Sequence, residues 1–419
     1  MVLLGFHYRA GRVIMALDIN INVEAMDRRP RIVICGNYGA TNLGDEAILD
    51  GILSMVRRAL PAAEIVVLSA NPTETADLYG VKSVFLLPAG VRSFWRGFVG
   101  GRRGSILATL DAIRSADLFI LGGGGLFTDE KFMAILIWSL QARFARFFKV
   151  PIFCFGQSVG PLRTFFGRWM TARVFKSAAA ITVRDESSRD LLMRLGVDDA
   201  VVLADPALVL PDPEPLPESN ESYIVLSVRP WKKHLVKEDF HEGLAKFIDW
   251  LWREKGLKTV MVPFQIMVDN DVNELNCVYD LLGNKNAAEI SAYGSDYRET
   301  MELMARATAV VGMRLHSLIF ASLCSTPFLA LSYSEKVRGF CGQMQMEEFV
   351  LDLKEVNFDV MKERFERILS ERDKLILVLE DRTLHLRAKA LEHEEILKKL
   401  TKEVKNELGE VTKNGLTIA

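Results

Sequence analysis

Apolar runs of three to six residues alternate along this chain with longer stretches whose apolar positions recur every three or four residues. A short run that is apolar at every position suits a strand buried on both faces, and the longer periodic stretches suit amphipathic helices. Strands are predicted at 31–35, 65–68, 83–87, 118–121, 152–155, 180–183 and 200–203, and again at 223–228, 259–262, 309–311 and 328–332. In the second set the intervening helices fall near 238–254, 271–283, 296–306 and 314–324. Strands that alternate with helices imply βαβ units and parallel sheets. Between the two sets, four prolines fall within residues 211–217 and make a stiff, extended connector. The fold class predicted is therefore α/β, with two doubly wound Rossmann-like domains.

Beyond about residue 359 the chain reads as helix, dense in charge. Leu379, Thr383, Leu386, Ala390, His393, Leu397, Leu400 and Val404 recur at spacings of four and three. Such a seam packs on the chain's own domains, or pairs with a second copy to give a homo-oligomer. The segment boundaries expected are an N-terminal extension (1–29), an α/β domain (30–210), the Pro-rich hinge (211–220), a second α/β domain (221–355) and C-terminal helices (356–419). Two such domains across a hinge predict a GT-B-like arrangement with a site in the cleft between them.

Composition narrows the partners. With 419 residues, 49% hydrophobic and 25% charged, and a formal net charge of −2, nothing global points to nucleic acid or an anionic membrane. The five cysteines, at 35, 154, 277, 324 and 341, show no CxxC pairing and read as buried reduced thiols. Residues 1–30 lack the continuous apolar core of a secretory signal, and no uncharged apolar run reaches the roughly 18 residues of a membrane span. A cytoplasmic location is expected.

Two junctions carry candidate chemistry. Gly312-Met313-Arg314-Leu315-His316-Ser317 joins a strand to a helix, placing a fixed cation and a titratable imidazole beside the unpaired N–H groups of a helix start. That combination suits an anion with several oxygens, and Arg314 adds a planar fork for carboxylate or phosphate. Gly36-Asn37-Tyr38-Gly39-Ala40-Thr41-Asn42-Leu43-Gly44-Asp45-Glu46 joins the first strand to the first helix. Its glycines Gly36, Gly39 and Gly44 would let backbone approach a ligand, but the spacing is neither GxGxxG nor a P-loop. Asp45 and Glu46 sit where carboxylates also compensate a helix dipole.

These segments resemble the polysaccharide pyruvyl transferase family. The resemblance spans roughly residues 30–350 and also runs through Gly122-Gly123-Gly124-Gly125-Leu126-Phe127-Thr128-Asp129, Gly156-Gln157-Ser158-Val159-Gly160-Pro161, Val183-Arg184-Asp185-Glu186-Ser187, Ala204-Asp205-Pro206-Ala207 and Ser227-Val228-Arg229. It implies a ketal-forming transferase with phosphoenolpyruvate as co-substrate and no other cofactor. The acceptor would be a lipid- or nucleotide-linked saccharide, reached at the inner face of the cell membrane by peripheral association. Residues 221–355 would hold the donor and 30–210 the acceptor.

On that footing Arg314, Arg229 and Leu315 are expected to bind the donor's two anionic groups. His316 is the expected general acid, kept protonated by a neighbouring phosphate, and Asp45 the base for the sugar hydroxyl. Asn42, Glu46, Asp129 and Gln157 are expected to recognise the acceptor, with Thr128 and Ser158 beside them. Gly123 and Gly124 would form a second close-approach loop. Lys232, Lys233 and His234 are weaker candidates near Arg229, and Arg184-Asp185-Glu186 reads as an internal ion pair. Asp269-Asn270-Asp271 superficially resembles a metal motif but fits a helix start, and no metal is expected. Two other readings stay open: a GT-B glycosyltransferase using a nucleotide sugar, and a non-catalytic scaffold of polysaccharide assembly.

Overall fold

The computed structural model describes residues 29–88, 103–129, 132–213, 222–231, 240–267, 269–292, 294 and 296–415. Residues 1–28, residues 214–221 of the Pro-rich hinge, and Lys232, Lys233 and His234 lie outside them.

The first sheet contains β1 (Arg31–Cys35), β2 (Glu64–Ser69), β3 (Lys82–Phe85), β4 (Leu118–Leu121), β5 (Gly124–Phe127), β6 (Ile152–Val159), β7 (Ala180–Val183) and β8 (Val201–Val202). Their order is β3-β2-β1-β4-β6-β7-β8, with β5 paired to β6, and every pairing is parallel. The second sheet contains β9 (Tyr223–Ser227), β10 (Lys258–Met261), β11 (Ala288–Ile290), β12 (Ala309–Gly312), β13 (Phe328–Ser332) and β14 (Val350–Asp352). It runs β11-β10-β9-β12-β13-β14, again all parallel. Helices cover both faces, which is why strands such as β4, β6 and β9 are buried at every position.

In each sheet the chain winds outward from one strand and then crosses back to its other side, between β1 and β4 and between β9 and β12. Connections leave such a switch point in opposite directions and open a crevice at the strands' carboxyl ends. The two crevices face each other. Leu43 N–H donates to the Phe264 carbonyl at 3.1 Å, and Asn42 bridges to Gln265. Further across, the Tyr297 hydroxyl donates to Asp50 at 2.6 Å and Lys336 Nζ to the Gly160 carbonyl at 2.8 Å.

The C-terminal helices fasten this arrangement. Helix Phe358–Ser370 lays Phe365 edge-on against Phe247 of the second domain. Helix Arg372–Gly415 spans both domains: Thr383 donates to the Ser322 carbonyl of the second domain, and on the first Arg387 donates to the Leu208 and Leu210 carbonyls and His393 stacks on Phe155 at 4.3 Å. The seam Leu379, Thr383, Leu386, Ala390, His393, Leu397 and Leu400 is buried against the chain's own domains. Cys277 departs from the expectation for the thiols: it is exposed, on a short helix whose buried side is taken by Leu275 and Val278. Among the described residues no helix is long and apolar enough to cross a membrane.

Candidate active site

Two arginines reach the cleft from the second sheet, each already facing a carboxylate. Arg314, at the end of β12, directs Nε and Nη2 onto Asp271 at 2.7 and 2.5 Å, with both side chains buried. Asp271 also accepts from the Phe264 and Gln265 N–H groups at 3.0 and 3.1 Å. Arg229, just past β9, pairs with Asp269 at 2.9 Å and touches the Tyr333 hydroxyl at 3.3 Å, its guanidinium lying over the Tyr333 and Trp231 rings. Burial works against its charge, but Tyr333 and Asp269 outweigh this and hold the Arg229 pKa above the ordinary value. The fork expected to grip the donor is therefore committed to a protein carboxylate. Asp269 and Asp271, read from sequence only as a helix start, are the counter-ions of Arg229 and Arg314.

His316 sits two residues further on, in helix Leu315–Leu323, with its side chain 14% exposed. Arg314 occupies the cap position of this helix and makes no side-chain cap, whereas Asn42 caps helix Leu43–Ala59 by accepting from Gly44 N–H at 3.1 Å. Of these two helix starts, the one beside His316 is the one left without a side-chain acceptor. The imidazole Nδ1 faces Gly44 so closely that a Cβ on that residue would overlap it. Nε2 lies 3.7 Å from Asp205 and has no hydrogen-bond partner. Asp205 accepts from Arg184 at 2.5 Å and from Ala207 N–H at 2.9 Å.

Titration follows from this crowding. Burial pushes the His316 pKa down to about 4; Asp205 opposes the shift, and Arg184 and Arg314 add to it. The imidazole is thus neutral at neutral pH, whereas the protonated acid expected from sequence requires a phosphate beside it. Burial raises Asp45 to about 6, against the hydrogen bond from Asn37 at 2.7 Å. Asp205 is held below the usual carboxylate range, because Arg184, His316 and the Ala207 N–H together outweigh its burial.

Residues 42–335 match the polysaccharide pyruvyl transferase family. The chain belongs to this family. It is 22% identical over 369 residues to the amylovoran biosynthesis protein AmsJ of Erwinia amylovora, covering 77% of this chain and 88% of that protein. Among solved structures it is similar to a glycosyltransferase from Rickettsia africae, with a TM-score of 0.59 at 12% identity over 90% of this chain and 98% of that one. The S. aureus MnaA–UDP co-structure aligns with a TM-score of 0.59 at 10% identity, over 84% and 90% of the two chains. The architecture is GT-B, and the family supports a transferase role in polysaccharide biosynthesis.

Within this pyruvyl transferase family member, the remaining residues singled out from sequence divide into those at the cleft and those turned inward. Asn42 is at the domain contact, its amide 3.5 Å from Gln265 Oε1, and Leu315 is the first, half-buried residue of its helix. Glu46 is turned inward: it accepts from Gly39 N–H at 2.7 Å and the Tyr79 hydroxyl at 2.9 Å, and burial raises its pKa to about 7. Gln157 is fully buried and donates to the Leu121 and Gly122 carbonyls. Asp129 braces a turn by accepting from the Arg163 and Thr164 N–H groups, both at 2.6 Å. These three were expected to read acceptor hydroxyls; in the structure Glu46 and Gln157 satisfy buried polar groups, and Asp129 holds an exposed turn.

The glycine loops correct another expectation. The space left by Gly36 and Gly122 is filled by the ring of Tyr38, that by Gly39 by Ser69, and that at Gly123 lies against the Gly156 carbonyl. Gly124, at φ +97°, brings the backbone against Asp45. Tyr38, Asp205 and Asp271, present in the motifs but given no site role from sequence, and Lys336, not named at all, border the site. Thr41 adds strain: a β-branched residue at φ 55°, directly before the Asn42 cap.

Proposed function

We propose that this chain transfers the pyruvyl group of phosphoenolpyruvate to two hydroxyls of a lipid- or nucleotide-linked saccharide, giving a cyclic ketal and phosphate. The observation that carries the reading is the meeting at one cleft of His316, whose Nε2 lies 3.7 Å from Asp205 without a hydrogen-bond partner, with Asp45, Arg229 and Arg314. The donor's anions are held by Arg229 and the Leu315 N–H, while Arg314, its Nε and Nη2 on Asp271, contributes its charge rather than a fork. Bringing those anions in raises nearby pKa values, so Asp45, starting near 6, is protonated, while His316, starting near 4, remains a base.

The two roles are thus exchanged relative to the sequence expectation. His316 takes the proton of the first hydroxyl as its oxygen bonds to C2, and Asp45 delivers a proton to the methylene carbon, which becomes methyl. Asp205 steadies the imidazolium. Phosphate leaves with the C–O electron pair and carries away the proton from His316. The second hydroxyl closes the ring, returning its proton to Asp45.

The test is phosphate release from phosphoenolpyruvate across undecaprenyl-linked and nucleotide-linked sugars, with wild type and His316→Ala side by side. Acceptor-dependent release should fall by roughly 10²–10⁴-fold in the variant. The fold also suits a nucleotide-sugar donor. Thermal protection by a nucleotide sugar, with none by phosphoenolpyruvate, would replace pyruvyl transfer with glycosyl transfer.

A further inference from the structure

Helix Phe165–Phe175 carries large apolar side chains on both faces. Its inward face holds Gly167, Thr171, Val174 and Phe175, and its outward face holds Phe165 and Trp169, which are 84% and 46% exposed. A helix that packs on a soluble domain points its largest apolar side chains inward, so this arrangement needs a reason. The Phe166 and Trp169 rings lie 6.0 Å apart, and the Arg173 guanidinium sits 5.0 Å above the Trp169 ring. Met133, at the start of the preceding helix in sequence, is a further exposed apolar residue. Arg163, Arg168 and Lys176 are exposed around the aromatic pair.

The charge of the surrounding segment is as unusual as its apolar face. Residues 131–184 contain nine Lys and Arg and no Asp or Glu, in a chain whose acids outnumber its bases, 54 to 52. Aromatic side chains ringed by guanidinium and ammonium groups match the boundary layer of an anionic bilayer, where rings enter the headgroup region and cations meet phosphates. A second copy is a poor occupant, because a two-fold contact through this face would set its cations against themselves.

We infer that helix Phe165–Phe175 and its basic surround dock the protein on anionic phospholipid. The helix stands beside the cleft: Thr164 caps it by accepting from Gly167 N–H at 3.0 Å, and the Arg163 and Thr164 N–H groups are pinned to Asp129 at the end of the glycine loop. Lys336 of the second domain holds the Gly160 carbonyl just upstream. A bilayer touching Phe165 therefore lies at the rim of the cleft and presents a membrane-borne acceptor there. The docking itself does not depend on the pyruvyl-transfer reading, and vesicles without any saccharide keep the two tests separate.

The experiment is flotation of the full chain with vesicles of phosphatidylcholine alone and of phosphatidylcholine with phosphatidylglycerol. Wild type should float with the anionic vesicles only. Phe165→Ser/Trp169→Ser should lower its partitioning about tenfold, and Arg163→Glu/Arg173→Glu/Lys176→Glu about 100-fold. Both variants should unfold at the wild-type temperature, since the residues are exposed. Failure to float with anionic vesicles, or flotation untouched by either variant, overturns the inference. So does a wild-type dimer that the aromatic variant converts to monomer, because the face is then a self-association surface.

Discussion

Gly44→Ala isolates the contact between the two domains at the proposed reaction centre. Gly44 is the second residue of helix Leu43–Ala59, and alanine is the better helix former there by about 1 kcal/mol. The added methyl, however, would overlap His316 Nδ1 and Cγ and stand 2.8 Å from its Cβ. Comfortable contact between such atoms is about 3.5 Å or more, so His316 and its helix must retreat by on the order of 1 Å. Overpacking of that kind costs about 1–3 kcal/mol, which the helix gain partly offsets, leaving a net loss of about 0–2 kcal/mol. Activity should respond far more, since a displacement of about 1 Å at reacting groups costs on the order of 10²-fold. Urea unfolding and phosphate release together read the split. Gly339→Ala is the control: it lies in helix Glu335–Gln343 with open space where its Cβ would stand, and it should gain up to about 1 kcal/mol with unchanged turnover. Adding His316→Ala to Gly44→Ala should remove the overlap with the ring and leave only the 2.8 Å approach to Cβ, so that the stability losses of the two variants are not additive. Turnover of Gly44→Ala within threefold of wild type would show that His316 is not held against this helix during the reaction.

Asp271→Ala should cost about 3–5 kcal/mol in chemical unfolding, because it strands the buried Arg314 charge and two backbone N–H groups; a loss below about 1 kcal/mol would contradict the pairing described. Glu46 has its folded pKa raised by burial to about 7, so it binds protons more tightly in the folded state, and its contribution to stability is lost as pH rises from the ordinary carboxylate range to 7. Glu46→Gln should therefore gain on wild type by up to about 3 kcal/mol between pH 4 and pH 8, and a pH-independent difference would refute the shift. His393 has the opposite sign: burial lowers its pKa to about 4, so stability is lost as pH falls below 6.5. His393→Phe keeps a ring against Phe155 and should be favoured over wild type by about 2 kcal/mol more near pH 5 than near pH 7.5, measured by urea midpoints.

The parts of this fold that show in the sequence are those whose burial is total. β4, β7 and β13 are apolar at nearly every position because helices cover both faces, and their limits, 118–121, 180–183 and 328–332, are legible to the residue. β5 is missed because it opens on two glycines of a run that reads as a loop, and it pairs only irregularly with β6. β11 and β14 are missed because they are three-residue edge strands with one neighbour each, too short for any period to show.

The site follows the same logic at the level of single groups. Its position was legible, since glycine-rich and Arg-Leu-His junctions follow strands at the two switch points. Its electrostatics were not. Arg314 and Asp271 are 43 residues apart, and Asn42 and Gln265 are 223 apart, so what neutralises a cation or closes the cleft is set by how two sheets meet. An isolated Arg-x-His predicts a protonated imidazole beside an anion; the folded chain surrounds that imidazole with Arg184, Arg314 and low-dielectric wall, and so empties it of its proton. The same enclosure raises Asp45 to about 6. Burial acts on the two groups with opposite sign because one is charged when protonated and the other when deprotonated, and the proposed assignment of base to His316 and acid to Asp45 rests on that difference.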